Sequence, residues 1–453
     1  MPMNRRDFLR RTALATGASL LGPAVFGQQL ARAAGENDRY FIFCYFEGGW
    51  DILLGLDPRD PIDFPDDAVR ETGIQPAYGL LPAQYSRRPI DAGPFQLGPC
   101  VGELARIADR FSIVRGIDMS TLTHEVGRRY FITGQRPSGL TARGSSVATL
   151  ATAGIGADRP VPHLTHLVEA YNADQPPFAG ALPVAAVDHL QYILQENLGI
   201  PTDIPANVRG ALGAYWSRAP DCLPGAGAGF GELADIYRDN RARARDVVVE
   251  ELHRSFQFNT AESAAVRQRY GFAQGQQETP YGRAALASQA LKTGLSRVVS
   301  VALSTGLDTH DNTWAGQHSV NLQAGFDALA RLINDLAESE APGGGSFLDK
   351  TTIVAFSEFS RTPRLNERNG RDHHLANCAL ICGGGIRGGQ VIGRSTDRGM
   401  GPETIDLGTG RPDPEGDALK PEHVLATALA SGNVDTAPLR VGPLPALLDF
   451  DLN

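Results

Sequence analysis

Cysteine is scarce in this chain: five residues in 453, at Cys44, Cys100, Cys222, Cys378 and Cys382. So few thiols, odd in number and widely spread, close at most two disulfides and supply no thiolate-rich electron-transfer centre. Methionine, with four residues, adds no soft-ligand set either. Cys44 and Cys378 lie in apolar, strand-like runs, where a thiol packs as a small hydrophobe. Positive charge is also short, with 42 Lys and Arg against 51 Asp and Glu. That balance argues against the basic face a nucleic-acid partner needs. Beyond residue 33 no long apolar run exists, so no stretch of about 20 residues is on offer to span a membrane.

The amino terminus is different in kind. Asn4-Arg5-Arg6-Asp7-Phe8-Leu9-Arg10 leads into a small, apolar stretch from Thr12 to Gly27 and then Ala31-Arg32-Ala33. A positive head, a short apolar middle and a small-x-small end describe a cleavable export signal. Arg5 and Arg6 followed by Phe8 and Leu9 resemble the twin-arginine class, which implies a twin-arginine translocase as partner and delivery of folded protein to the periplasm or beyond. Interrupted by Gly and Pro, the apolar stretch is too short for a stable span, so none is expected after cleavage. Residues 1–33 hold five Arg and one Asp, and their removal takes the net charge from −9 to −13.

Residues 34–453 read as one α/β domain. Apolar runs of strand length recur at Tyr40–Phe46, Phe111–Arg115, Val298–Leu303, Thr352–Phe356 and Ala379–Cys382. Unbroken Val, Ile and Phe runs predict strands buried on both faces, in a mainly parallel sheet with helices on each side. Leu322, Phe326, Leu329, Ile333 and Leu336 fall on one stripe of a covering helix. Between about 160 and 295 the texture turns Pro- and Gly-rich around a charged helix near Glu232–Phe256, which predicts a mostly helical insertion without a sharp linker.

The chemistry-bearing residues gather in five blocks. Glu47-Gly48-Gly49-Trp50-Asp51 directly follows the first strand, which places Asp51 like a metal carboxylate, although an Asp after two Gly is commonly a turn or cap. Thr121-Leu122-Thr123-His124-Glu125-Val126-Gly127-Arg128 offers a hydroxyl, an imidazole and a guanidinium at a helix start, where backbone N–H groups favour an anion. Leu307-Asp308-Thr309-His310 follows the third run, with His318 just beyond; Ser357-Glu358-Phe359-Ser360-Arg361 follows the fourth; Asp372-His373-His374 comes shortly after. Five of the ten histidines, His124, His310, His318, His373 and His374, fall in these blocks. Carboxylate and imidazole pairs repeated at strand ends are what a borderline divalent metal uses, zinc or manganese with calcium as a further candidate.

Gly-Gly-x-Asp, Asp-Thr-His, Ser-Glu-Phe-x-Arg-Thr-Pro and Asp-His, followed by Gly384-Gly385-Ile386-Arg387-Gly388-Gly389-Gln390-Val391-Ile392-Gly393, resemble the bacterial family known as domain of unknown function 1501. That family is grouped with alkaline phosphatases, sulfatases and cofactor-independent phosphoglycerate mutases, so the resemblance implies an alkaline phosphatase/sulfatase-like fold. It also implies two metal groups: Asp308 with His310 or His318 and His373 in one, Asp51 and Glu358 in the other, with Asp372 beside His373. The sulfatase signature sets its nucleophile four residues before an Arg, nine before a Thr and ten before a Gly; Arg128, Thr133 and Gly134 hold those spacings. The nucleophile position is then His124, and Phe359 stands where phosphatases carry a second-site histidine. His124 is therefore expected as a ligand, and Arg128 or Arg361 as the clamp on an anion.

Two readings follow. One is an exported metal-dependent hydrolase of sulfate or phosphate esters, with an anionic small molecule or polysaccharide ester as substrate. The other is a non-catalytic periplasmic binding or assembly protein that keeps a degenerate metal site.

Overall fold

A computed structural model describes residues 38–195, 205, 207, 208, 211 and 251–451. The export signal expected at 1–33, Cys222 and most of the charged helix expected at Glu232–Phe256 lie outside the described residues.

Eight strands build the central sheet: β1 (Tyr40–Phe46), β2 (Phe111–Asp118), β3 (His163–His166), β4 (Leu182–Val184), β5 (Val298–Ser304), β6 (Thr351–Phe356), β7 (Ala376–Gly383) and β8 (Val391–Ile392). Their spatial order is β8-β2-β7-β6-β1-β5-β3-β4. All run the same way except β7, which lies antiparallel between β2 and β6. Along β1, Ile42, Cys44 and Phe46 enter one core while Phe41, Phe43 and Tyr45 enter the other. A strand covered on both faces has no polar side to show, which is why the run carries no alternation.

Helices α1 (His124–Thr133), α2 (Val147–Ile155), α3 (Pro280–Lys292), α4 (Ser319–Glu338) and α5 (Pro421–Ser431) supply that cover. Helices α3 and α4 pack in the core with Ile42, and α1, α2 and α5 in the core with Phe41. The stripe Leu322, Phe326, Leu329, Ile333 and Leu336 on α4 is buried throughout. Each such side chain contributes about 1.5–3 kcal/mol of transfer free energy before entropy is counted.

The span of about 160–295, expected as a mostly helical insertion, also supplies β3 and β4, which extend the main sheet parallel to β5, and α3, which buries Ala284, Ala287 and Leu291. These strands are short and interrupted by His163, His166 and Pro183, so they lack the apolar run that reveals a buried strand. Pro183 is tolerated because β4 is the sheet's edge. The described cysteines, Cys44, Cys100, Cys378 and Cys382, are buried free thiols.

Candidate metal centre

The loops leaving β1, β2, β5 and β6 all emerge at the carboxyl edge of the sheet and carry the first four blocks. The fifth arrives by inversion. Because β7 runs backwards, its amino-terminal end meets the carboxyl end of β2, with Ala376 opposite Asp118. A two-residue ribbon then pairs His373 with Arg361 and His374 with Ser360. Residues spread over most of the described chain thus reach one place.

Gly48 makes the tightest crossing. Its φ is +106°, and a Cβ there would stand 2.6 Å from the backbone nitrogen of Asp308, so the β1 and β5 loops touch backbone to backbone only because this residue has no side chain. Gly127 does the same for α1, where a Cβ would fall 2.4 Å from the Glu358 carbonyl oxygen.

At the mouth lies Asp308, whose side chain is about half exposed. Its Oδ1 is approached by three imidazole Nε2 atoms, of His310 at 2.9 Å, His373 at 3.3 Å and His124 at 3.4 Å, and by Arg361 Nη2 at 2.6 Å. The Nε2 atoms of His310 and His373 are 3.1 Å apart. Each ring is anchored from behind through Nδ1: His124 on Glu358 Oε1 at 2.7 Å, His310 on Asp372 Oδ1 at 2.7 Å and His373 on the Leu122 carbonyl at 2.6 Å. An Nδ1–H that donates to an acceptor leaves the Nε2 lone pair facing forward. Three Nε2 atoms therefore point at each other and at a carboxylate; that of His310 also takes Arg361 Nη1 at 3.3 Å, and that of His124 is buried with no hydrogen-bond partner. Phe359, fully buried, packs its ring against both His124 and His373.

The electrostatics divide the imidazoles. Burial works against a charged His124, but Glu358 and then Asp308 outweigh it and hold its pKa above the ordinary imidazole value. Burial, with Arg361 and His124, lowers His373. Although burial opposes it, the Arg361 guanidinium drives the Asp308 carboxyl well below the carboxylate range, and His310 lowers Asp372. Ligands 2.0–2.1 Å from a common tetrahedral centre stand roughly 3.3 Å apart, close to the separations observed. Among the described residues, ligand atoms of His124, Asp308 and His373 lie within 4.8 Å of one another, a group that could hold a divalent cation, and His310 Nε2 stands beside it, 2.9 Å from Asp308 and 3.1 Å from His373.

Asp51 and His318 do not join this group. Asp51 is buried behind it, with Oδ2 taking Arg371 Nε at 3.0 Å and Trp314 Nε1 at 2.7 Å, and Oδ1 taking the Leu53 amide at 3.0 Å. Its carboxylate is filled by protein donors. His318 donates from Nδ1 to the Leu307 carbonyl at 3.0 Å and accepts the Asp51 amide at Nε2 at 3.1 Å, so neither nitrogen is left to ligate. Burial pushes its pKa down to about 4. Glu358 and Asp372 sit one shell out, on the rings of His124 and His310.

The arginines also depart from expectation. Arg128 turns away to Glu169, at 2.7 Å. Arg361 is fully buried and spends its guanidinium on the Gly48, Gly49 and Arg371 carbonyls, on Asp308 and on His310 Nε2. Sequence reasoning passed over Arg371 and Trp314, whose guanidinium and ring stack at 4.6 Å and complete the Asp51 layer. Arg371 directly precedes Asp372-His373, and that adjacency was the one signal available.

Residues 239–406 match the family described as "Protein of unknown function (DUF1501)", a span that holds the Asp308, Glu358 and His373 blocks. No curated protein matches the sequence. Among solved structures the chain is similar to the lipoteichoic acid synthase LtaP from Listeria monocytogenes, at 9% identity over 81% of this chain and 70% of that one, TM-score 0.32. It is also similar to a protein in the alkaline phosphatase superfamily from Vibrio parahaemolyticus, at 9% identity over 89% and 69%, TM-score 0.34. A third is PsFucS1 sulfatase from Pseudoalteromonas sp., at 11% identity over 91% and 71%, TM-score 0.33. Overlaps this loose leave the function to the site's own geometry.

Proposed function

We propose that this chain is an exported, metal-dependent hydrolase of sulfate or phosphate esters, with His124, Asp308, His310 and His373 holding one divalent cation, zinc or manganese ahead of calcium. The observation that carries the reading is the convergence of three anchored imidazoles, Nε2 first, on one Asp308 oxygen. Of these, His124 Nε2 is buried without a hydrogen-bond partner, a lone pair that a bound cation would take up. A divalent ion would polarise an ester oxygen and bring the pKa of water towards 7.

The protein's own residues supply the rest. Glu358 and Asp372 fix the tautomers of His124 and His310, and the Phe359 ring walls off one side. Helix α1 begins at His124 itself, and Thr123 makes no side-chain cap, so first-turn N–H groups remain for an anionic group of the substrate. Water, rather than a side-chain hydroxyl, is assigned the attack, because the nucleophile register falls on an imidazole.

A non-catalytic binding role has one observation in its favour: Arg128 and Arg361 are both spent on protein partners, which leaves neither as an anion clamp. Export rests on the Arg5-Arg6 segment; among the described residues no helix is long and apolar enough to cross a membrane. The purified, metal-analysed protein should be screened against an aryl sulfate, a phosphate monoester and a phosphodiester. Turnover of one of them, lost in His124→Ala, supports the hydrolase. A full metal complement with no turnover of any gives the site to binding.

A further inference from the structure

A second cleft, of about 370 Å³, opens beside the edge strand β8 and shares no residue with the metal cluster; Asp57, Arg59, Arg115, Val391, Arg394 and Asp397 line it. Three guanidinium groups face two carboxylates there, and the carboxylates differ. Asp57 is buried and filled: its Oδ1 takes Arg59 Nη1 at 2.8 Å and lies 3.5 Å from Arg115 Nε, while Oδ2 takes the Ser395 hydroxyl. It has little left to offer a ligand. Asp397 is half exposed, reaches Arg394 across a single turn and stands 3.2 Å from Arg59 Nε. Arg59 is only 9% exposed and spends its Nη atoms on Asp57, the Pro58 carbonyl and Ser395, which leaves Nε, facing Asp397, without a hydrogen bond; Arg115 spends Nε and Nη2 on the Leu56 and Gln96 carbonyls.

We propose that this cleft binds a small molecule through one oxyanion group, a sulfate or phosphate held by the Arg394 guanidinium with Arg59 Nε beside it, and that Asp397 stands in for that group when the ligand is absent. Donors outnumber unspent acceptors on its walls, which selects an acceptor-rich anion. Its volume falls in the range of small-molecule sites. The planar guanidinium fork of Arg394, about half exposed at the mouth, suits bidentate contact with a tetrahedral oxyanion.

The test is calorimetric titration of inorganic sulfate, and separately inorganic phosphate, into the Asp308→Asn protein, in which the metal cluster is disabled so that a failure of the hydrolase reading leaves the result intact. One anion should bind per chain. Arg394→Gln should weaken it about tenfold, the loss of one charge-assisted contact, and Asp397→Asn should strengthen it severalfold by removing the competitor. Both side chains are about half exposed, and circular dichroism will verify that the variants fold. Preference for either anion supports the proposal and names the group. A dissociation constant above about 10 mM for both anions, or affinities unmoved by both substitutions, overturns it.

Discussion

Asp308 and Asp51 leave the carboxyl ends of neighbouring strands, and each is met by a histidine and an arginine, yet they are in opposite states of completion. Around Asp51 every partner is found: Arg371, Trp314 and two backbone amides fill the carboxylate, and His318 uses both ring nitrogens. Around Asp308 three imidazoles are anchored from behind, and His124 Nε2 has no hydrogen-bond partner in front. The inner layer clamps the β1 and β5 loops together; the outer layer holds lone pairs that want a cation. Residue type does not separate frame from site here, but the count of satisfied groups does.

The largest effect that can break this contrast is on stability. Asp51→Ala strands the fully buried Arg371 without its carboxylate and should cost about 3–5 kcal/mol, read from urea unfolding. Asp308→Asn removes the charge from a half-exposed group that also holds the fully buried Arg361, but leaves an amide oxygen to accept, and should cost less, about 1–2 kcal/mol. Equal losses would mean that the two layers are not distinct.

Affinity comes next. Asp372 is about half exposed and holds only the back of His310 and the Asn366 side chain. Asp372→Asn should therefore lower zinc affinity 10- to 100-fold, as the loss of an outer carboxylate does, with the unfolding midpoint little moved. Unchanged affinity would demote His310 from the ligand set.

Much of this was legible in the sequence, and what was not has physical reasons. Five apolar runs became strands with ends shifted by a few residues at most, because burial on both faces demands them. The blocks were visible because imidazole and carboxylate sat directly after those runs. The reversal of β7, which delivers His373 to the cluster, was not readable, since strand direction is set by connections and not by composition. Nor was the Asp51–Arg371 pair, whose partners lie far apart along the chain; the same Asp after Gly-Gly serves a ligand or a buried ion pair equally well. His163–His166 was missed as a strand because four residues with a histidine at each end carry no period.

The frame should also titrate where the cluster does not dictate it. His163 is fully buried at the amino end of β3, and burial lowers its pKa to about 4. Between pH 4 and 6.5 the unfolded chain therefore binds the proton that the folded one refuses. Stability should fall as pH drops through that window, by up to about 1.4 kcal/mol per unit from this residue. His163→Gln should flatten the slope of unfolding free energy against pH; an unaltered slope would place the loss elsewhere. The smallest expected effect is at Thr123→Val. This exposed residue caps nothing, so stability should move by no more than about 0.5 kcal/mol, with metal content and any turnover intact. Abolished turnover with metal retained would hand the attack to its hydroxyl.

The claim on which the account turns is that His124, Asp308, His310 and His373 hold a metal, and elemental analysis of the protein expressed with metals supplied tests it most directly. The account predicts close to one equivalent of zinc or manganese in the wild type and its loss in His124→Ala, whose Nε2 is the open donor. Less than about a tenth of an equivalent of any divalent metal in the wild type, or a full complement retained in His124→Ala, would contradict it.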